Sequence, residues 1–318
     1  MDLNKAILYG QLVNAAYAVE PNDLTNRAGE IVSAGLGASK ADFEIITTMY
    51  ANDLATQKNP NRAQSQVCIG LILQAAGGDE AVIAFRGTEG IKEWVIDAAF
   101  GTVPCPFLAG AGQTEDGFTD MYQTVATATV ANSPSLTKAL NTLPWKRPIA
   151  SLTVCGHSLG GALATLAALD IAANAPAPFK NPTVYTYASP RAGDEQFATT
   201  YNRLVPNTFR IANELDVVPK VPLTPPYEHV VGDFELKPFS WIPPKLLVEP
   251  ELACLHILTS YLYLLSLLAG GQILELKQQC TPKAAFSTFL KDIELKWRNI
   301  ESLKREFSGE PGRQQAHG

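Results

Sequence analysis

The sequence has 318 residues, of which 46% are hydrophobic and 18% are charged. This balance excludes an intrinsically disordered chain, and the length suffices for one large α/β domain or two small domains. The formal net charge of −6, without a local stripe of Lys and Arg, would repel a polyphosphate backbone. We therefore expect no nucleic acid partner.

Five cysteines lie far apart along the chain, at Cys68, Cys105, Cys155, Cys254 and Cys280. None belongs to a close CxxC pair of the kind that metal and redox sites use. We expect most of them to be small buried residues with at most one or two disulfides, which leaves the redox compartment open.

The N-terminal segment has two interpretations. Lys5, the stretch 6–15 and an A-x-A at 16–18 imitate a secretory signal peptide. Gln11 and Asn14 interrupt the apolar stretch, however, and the apolar spacing favours an amphipathic first helix. We expect no convincing signal peptide, so the protein is secreted if a leader was removed or lies outside this sequence, and cytoplasmic otherwise.

Short β-rich runs alternate with helical patterns through the middle of the chain. The predicted strands are Val67–Leu73, Ala81–Phe85, Ile149–Cys155, Thr183–Ala188 and Thr208–Ala212. The predicted helices are Phe118–Val130, Leu159–Ala175 and Glu195–Val205. This alternation predicts an α/β sheet of parallel strands joined by crossover helices.

Two later segments differ from this pattern. Residues 221–250 contain seven prolines and no sustained period, which predicts an irregular or hairpin insertion. Residues 252–269 carry no charge and are about as long as a bilayer is thick. A membrane span is one interpretation, but acidic rather than basic residues flank the run, which favours a helix buried in the core.

The pattern changes again after Gly270-Gly271. We predict an α/β domain over 1–270, an amphipathic helical extension over 271–307 and a disordered tail over 308–318. The apolar stripe of the extension comprises Phe286, Leu290, Ile293, Trp297 and Ile300. It either packs on the domain or serves dimerisation or lipid contact, so the oligomeric state stays open.

A strand, a G-x-S-x-G turn and a helix follow one another in the middle of the chain. The run Ile149–Cys155 leads into Gly156-His157-Ser158-Leu159-Gly160, and an Ala- and Leu-rich helix begins at once. In this arrangement the serine stands on a strained turn above the sheet, where glycines avoid collisions. The N–H of Leu159 then faces the substrate oxygen. We predict that Ser158 is a nucleophile; the alternative is a tight turn without catalysis.

A serine nucleophile needs a base, which limits the choice among the histidines. Of the four histidines, His157 adjoins Ser158 and cannot easily turn back on its hydroxyl, and His317 lies in the tail. His229 and His256 remain as candidates.

The base also needs an acid that orients it. Hydrolases with this motif place the acid and then the histidine after the serine in the chain. Asp216 directly follows the predicted strand Thr208–Ala212, whose carboxyl end would present it at the site. Asp216 is therefore the candidate acid.

Five sequence blocks resemble the fungal-type (class 3) lipases, in the family's order and over roughly residues 5–270. The blocks are Phe85-Arg86-Gly87-Thr88, Gly156–Gly161, Ala188-Ser189-Pro190-Arg191-Ala192-Gly193, Arg210–Pro222 and Tyr227–Gly232. The resemblance implies an α/β-hydrolase fold, with a mostly parallel central sheet and helices on both faces. Asp116-Gly117-Phe118 stands where the family usually has His-Gly-Phe, a departure that concerns the substrate face more than the catalytic residues.

The resemblance also implies the site residues. It places a catalytic triad at Ser158, Asp216 and His256. His229 matches a structural position of the family, and Thr88 matches the second oxyanion donor beside Leu159. One such donor typically lowers the barrier by about 3 kcal/mol. No motif for a metal or cofactor accompanies these residues, and acyl transfer needs neither.

The segment directly after Thr88 has the pattern of a short amphipathic helix. Ile91, Trp94, Val95 and Ala98 follow the i, i+3, i+4, i+7 spacing, and charged residues line the other face. A helix buried in the core is the alternative, but the charged face indicates a surface position. This interval holds the mobile lid in the family, so the resemblance implies a lid over Ser158 that opens at a lipid surface.

Three functional hypotheses follow from these observations. The first is a serine hydrolase of carboxylic esters, foremost a triacylglycerol lipase that contacts a lipid interface transiently. The second is an esterase, an aryl-ester hydrolase or a phospholipase A1-like enzyme of the same fold, because the triad does not specify the alcohol or acyl part. The third is a binding module that keeps the fold without catalysis, since fold does not imply function.

Overall fold

The computed structural model describes residues 1–53, 65–88, 101–129, 135–222, 226–237 and 254–274. Within these ranges the helices are α1 (Leu3–Tyr17), α2 (Asp116–Gln123), α3 (Leu136–Leu140), α4 (Leu159–Asn174), α5 (Glu195–Leu204) and α6 (Leu258–Ala269). The strands are β1 (Ile31–Ala34), β2 (Ala41–Asn52), β3 (Gln66–Ala75), β4 (Glu80–Phe85), β5 (Thr102–Pro104), β6 (Gln113–Glu115), β7 (Ala126–Thr127), β8 (Ser151–His157), β9 (Thr183–Tyr187), β10 (Gly193–Asp194), β11 (Thr208–Asn213), β12 (Tyr227–Glu228) and β13 (Asp233–Leu236).

The main sheet has the strand order β1-β2-β3-β4-β8-β9-β11-β13, and β7 pairs with β2. Strands β4, β8, β9, β11 and β13 are parallel, whereas β1, β2, β3 and β4 pair antiparallel. The pairing changes from parallel to antiparallel at β4 because the short turn 76–79 joins β3 to β4, whereas parallel neighbours need a longer crossover. A small second sheet has the order β12-β10-β6-β5.

Helices cover both faces of the main sheet. Alternate side chains of β4 point to opposite faces: Ile83 and Phe85 join one buried cluster, whereas Val82 and Ala84 join the other. The first cluster includes residues of α2, α3, α4 and α5, and the second includes residues of α1 and α6. The five predicted strands and the expected α/β arrangement are therefore confirmed.

The first helix, α1, belongs to the hydrophobic core. Asp2 caps it by accepting hydrogen bonds from the N–H groups of Asn4 and Lys5. Most of its residues are buried, and Gly10 allows a close approach to α6, because a Cβ there would lie 2.5 Å from Cδ2 of Leu262. The expected N-terminal helix is confirmed.

Helix α6 explains much of the uncharged run 252–269. It has 12 residues, or about 18 Å, and a bilayer core is about 30 Å thick. Among the described helices, none combines the length and apolar character that a membrane span requires. Tyr261 and Leu265 are fully buried against the sheet side of the helix, so the interpretation as a buried core helix is confirmed.

Two predicted elements require correction. The helix predicted over 118–130 ends at Gln123, because β-branched residues follow and Ala126–Thr127 forms a strand on β2. The segment 221–250 is not wholly irregular, since β13 extends the main sheet parallel to β11. That strand was missed because its alternating residues span only four positions within a proline-rich segment.

The predicted extension over 271–307 and the tail over 308–318 lie outside the described residues, apart from 271–274. The division of the chain into these units therefore stays a prediction.

Candidate active site

Ser158 occupies a sharp turn between β8 and α4. Its φ of 58° and ψ of −128° place a non-glycine residue in a strained backbone region. The N–H of Ser158 donates to the carbonyl of Tyr187 on the adjacent strand, at 2.9 Å. A Cβ at Gly156 would collide with the carbonyl of Gly160, so the turn requires glycine there. This is the geometry that the strand, motif and helix pattern predicts.

The Ser158 side chain lies inside the molecule. The residue is 0% exposed, and its Oγ atom has no hydrogen-bond partner among the described residues. An unpaired buried hydroxyl is costly, which is more typical of functional sites than of structural serines.

Asp216 and His256 form a buried pair. Nδ1 of His256 lies 2.7 Å from Oδ2 of Asp216, and the residues are 7% and 1% exposed, respectively. Oδ1 of Asp216 accepts the N–H of Val218 at 2.9 Å, which fixes the carboxylate in the turn after β11. Because an ionised carboxylate only accepts hydrogen bonds, Nδ1 of His256 carries the proton and Nε2 is left as the basic nitrogen.

Sequence reasoning missed a third member of this group, Tyr261. Its hydroxyl donates to Oδ2 of Asp216 at 2.8 Å and accepts the N–H of Asn213 at 3.0 Å. Since the tyrosine lies on α6, it links that helix to the end of β11. No local motif distinguishes it from other tyrosines of the chain.

The other candidate base, His229, has a different partner. Its Nε2 atom lies 2.5 Å from the carbonyl oxygen of Pro219. Desolvation lowers the pKa of this half-buried ring to about 3, and the neighbouring Arg210 and Arg191 charges add to the effect. The structure therefore brings His256, and not His229, to Asp216.

The segment Gly87-Thr88 lies beside the serine. A Cβ at position 87 would lie 3.0 Å from the Cβ of Ser158 and 2.8 Å from the carbonyl of His157. Only a glycine lets the backbone approach this closely, and Thr88 follows it directly. The sequence therefore brings a candidate oxyanion donor to the end of β4, next to the candidate nucleophile at the end of β8.

Leu159 is the first residue of α4. The N–H groups of Gly161 and Ala162 bond to the carbonyl of Ser158, so Leu159 lies at the start of the first turn. N–H groups at this position have no intrahelical acceptor and lie at the positive end of the helix. The predicted lid residues, Ile91, Trp94 and Val95, lie outside the described residues.

Cysteine and metal chemistry are separate from this site. Cys68, Cys105 and Cys155 are buried free thiols, and Cys254 is disulfide-bonded. Over the ranges that the structure describes, no group of three or more His, Cys, Asp or Glu side chains could hold a metal ion.

The fold and the site together define an α/β-hydrolase with a serine elbow and a buried aspartate–histidine pair. Residues 82–225 match the family model described as "Lipase (class 3)". The match covers slightly less than half of the chain, and it supports the resemblance to class 3 lipases that the five sequence blocks indicate.

Both lipases and phospholipases are similar to this chain. A secreted mono- and diacylglycerol lipase A of Penicillium cyclopium is 35% identical over 161 residues, which are 51% of this chain and 47% of that protein. A phospholipase A1-II 3 of Oryza sativa subsp. indica is 33% identical over 46% of this chain and 39% of that protein. The crystal structure of a mono- and diacylglycerol lipase from Aspergillus oryzae superimposes with a TM-score of 0.54 and 25% identity, over 73% of this chain and 78% of the other. The chain thus spans less than half the length of these two curated relatives.

Proposed function

We propose that this protein hydrolyses carboxylic esters of lipids through an acyl-enzyme on Ser158. The observation that carries the proposal is a strained serine elbow after β8 together with a buried Asp216–His256 pair, in which the His256 ring lies 4.9 Å from the ring of His157, the neighbour of Ser158. An ordinary tight turn would serve the same structural purpose at a lower energetic cost than either feature. A purely structural role therefore explains neither of them.

The residues supply each step of acyl transfer. Nε2 of His256 takes the proton of the Ser158 hydroxyl as Oγ attacks the ester carbonyl carbon. The N–H groups of Thr88 and Leu159 stabilise the negative oxygen of the tetrahedral intermediate. The protonated His256 gives its proton to the leaving alcohol, and the acyl group stays on Ser158.

Water completes the cycle. His256 takes a proton from a water molecule, which attacks the acyl carbonyl, and then returns that proton to Oγ of Ser158 as the carboxylic acid leaves. The Asp216 carboxylate stabilises the imidazolium that forms in both halves of the reaction. All protons move between named groups, and no cofactor takes part.

Acylglycerols are the substrates that we propose first, with a triacylglycerol lipase activity as the leading form. The names of the fungal relatives, which are mono- and diacylglycerol lipases, support a glycerol ester. The names of the plant relatives, which are phospholipases A1, support a phospholipid as the second candidate.

One comparison of rates tests this assignment. Purified protein is assayed on emulsified tri-, di- and monoacylglycerols, on phosphatidylcholine vesicles and on p-nitrophenyl esters of increasing chain length. We expect the highest turnover on an acylglycerol; a higher rate on phosphatidylcholine would favour the phospholipase. Absence of hydrolysis on every ester, in protein that a fluorophosphonate does not label at Ser158, would leave a binding module.

A lid is part of the proposal. The amphipathic pattern of Ile91, Trp94 and Val95 follows Thr88 directly, and the described structure leaves Ser158 buried. We propose that this segment covers the site in water and turns its apolar face to a lipid surface, where Trp94 inserts.

The disulfide at Cys254 supports a secreted or otherwise oxidising location. The fungal relatives are also named as secreted proteins. Alkylation of the denatured, unreduced protein from its native source tests this: Cys254 should stay unmodified, whereas a labelled Cys254 would indicate a reducing compartment.

A further inference from the structure

Tyr17 and His157 connect the proposed oxyanion segment to the proposed base. The Tyr17 hydroxyl lies 2.9 Å from the N of Gly87 and 2.8 Å from Nδ1 of His157. Nε2 of His157 lies 2.8 Å from the carbonyl oxygen of His256. Three hydrogen bonds thus run from the residue before Thr88 to the backbone of the histidine that pairs with Asp216.

We call this chain of three hydrogen bonds through Tyr17 and His157 the relay. The groups at its two ends, the N–H of Gly87 and the carbonyl of His256, fix which atom donates in each bond. The His256 carbonyl can only accept, so Nε2 of His157 carries a proton. Desolvation lowers the pKa of the buried His157 ring well below its usual value, and His256 adds to the effect. The ring is therefore neutral, Nδ1 accepts from the Tyr17 hydroxyl, and the Tyr17 oxygen accepts from the N–H of Gly87.

The relay is held rigidly at its tyrosine end. The guanidinium of Arg86 lies 5.2 Å from the centre of the Tyr17 ring, and its Nη1 atom donates to the carbonyl of Val19 at 2.6 Å. Arg86 is itself buried, with 3% exposure. At the other end the rings of His157 and His256 lie 4.9 Å apart, centre to centre. A movement of Tyr17 would therefore disturb its contact with Arg86, and a movement of His157 would disturb its contact with His256.

We propose that Tyr17 and His157 are positioning residues, which hold the backbone of Gly87-Thr88 and of His256 at a fixed distance across Ser158. This inference rests on the proposed ester hydrolysis. Its physical basis is that the oxyanion donor and the base act on one tetrahedral intermediate, so a small displacement between them raises the barrier. Neither residue forms a hydrogen bond with Oγ of Ser158.

Tyr17→Phe removes the oxygen that accepts from Gly87 and keeps the ring. The buried N–H of Gly87 loses its acceptor, so the backbone shifts toward another partner. We expect kcat on a soluble p-nitrophenyl ester to fall by about tenfold while KM changes little, because the variant disturbs the intermediate more than ester binding. The affinity for an alkylboronic acid, which forms a tetrahedral adduct with the serine, should fall in the same proportion.

Tyr9→Phe is the matched control. Tyr9 lies on the same helix, is more deeply buried than Tyr17, and donates its hydroxyl to Oε1 of Glu80 at 2.6 Å, away from the serine. This variant loses one hydrogen bond by the same chemical change, whereas Tyr17→Phe loses two, so its stability should fall while kcat stays within about twofold of wild type. Equal losses of kcat in the two variants would overturn the proposal.

Substitutions of His157 divide the relay into its two halves. An asparagine amide lies near the position of Nδ1 and can still accept from Tyr17, whereas a glutamine amide reaches toward Nε2 and can still donate to the His256 carbonyl. We expect kcat to rank wild type first, His157→Asn and His157→Gln next, and His157→Leu last, with boronic acid affinity in the same order. Near-wild-type kcat in His157→Leu would reject a positioning role, and this series decides the matter if Tyr17→Phe does not fold.

Failure of the proposed function gives a different result. In that case a fluorophosphonate would not label Ser158 in the wild-type protein, and no boronic acid would bind. If a fluorophosphonate labels Ser158 in an active wild-type protein and the relay variants keep the wild-type kcat, only the positioning role is overturned.

Discussion

Asp216 holds His256 by a 2.7 Å contact between Oδ2 and Nδ1, and both side chains are buried. The contact fixes the tautomer of the ring and directs Nε2 away from the carboxylate. Ser158 follows β8, which is separated from β11 by one strand, β9. The orientation of the His256 ring therefore determines whether its Nε2 atom faces Ser158.

Ser158→Ala should abolish ester hydrolysis and leave the fold intact, because the turn tolerates alanine but the acyl-enzyme cannot form. We expect a loss of at least about 10³-fold in kcat. Ser189→Ala is the control, since Ser189 is also buried beside the elbow and donates only to the carbonyl of Pro190 among its described bonds. Residual activity of Ser158→Ala within tenfold of wild type would remove Ser158 from the mechanism.

His256→Ala should lower kcat by about 10³-fold or more, because it removes the base and leaves Asp216 buried without its partner. His229→Ala should lower thermal stability through its lost contact with Pro219 and leave kcat per folded molecule nearly unchanged. Steady-state kinetics and thermal unfolding of both variants distinguish these effects. The opposite ranking would make His229 the base.

Tyr261→Phe should lower both stability and kcat. It deletes a donor to Asp216 and the acceptor of the buried Asn213 N–H, which costs about 1 to 3 kcal/mol in the free energy of unfolding. Tyr201→Phe, whose buried hydroxyl pairs with Thr208 on the other face, is the control for the stability effect. If both variants lose stability and only Tyr261→Phe loses kcat, Tyr261 orients the acid; equal kcat values would assign it a structural role.

Glu115→Gln should change how stability depends on pH. Glu115 is 3% exposed, and desolvation raises its pKa from about 4.5 to about 8, with Asp116 adding to the effect. Because the folded state disfavours the charged form, the contribution of Glu115 to stability is fully present below about pH 4.5 and is lost as the pH rises to about 8. The glutamine keeps an oxygen that can accept from the N–H of Phe118, as Glu115 does at 2.6 Å.

The measurement is the free energy of unfolding between about pH 5 and pH 9, where one pKa unit corresponds to about 1.4 kcal/mol. As the pH rises, the free energy of unfolding of Glu115→Gln should increase relative to that of the wild type. The control is Glu195→Gln, which removes one formal charge at an exposed position in the first turn of α5. A difference between Glu115→Gln and wild type that stays constant over this pH range would mean that the Glu115 carboxylate stays charged in the folded protein.

Trp94→Ser tests the proposed lid. The variant should lose more activity on a triacylglycerol emulsion than on a short soluble ester, because only the emulsion requires Trp94 to enter lipid. Wild-type tryptophan emission should change when lipid is added, and less so in the variant. Equal losses on both substrates would favour an esterase without an interfacial lid.

Local patterns predicted the elements that carry the site. Strands β4, β8, β9 and β11 and helices α4 and α5 lie within two residues of their predicted bounds, because each buries a continuous or periodic apolar run. The elbow follows from glycine spacing alone, since the collisions that exclude side chains there occur within one turn. The edge strand β13 and the early end of α2 were missed, because a four-residue strand in a proline-rich segment and a β-branched helix end give weak local signals.

The sequence by itself identified the proposed nucleophile, its turn and the strand that presents the proposed acid, since these depend on neighbours within a few positions. The tertiary structure decided which histidine meets Asp216, because local patterns alone left His229 and His256 as candidates and only the packing of the later chain brings one of them to the carboxylate. It also decided the contacts of Tyr17, His157 and Tyr261, whose partners lie 140, 99 and 45 positions away in the chain. Contacts over such distances arise from how helices α1 and α6 pack on the sheet, and a single sequence carries no local trace of that packing.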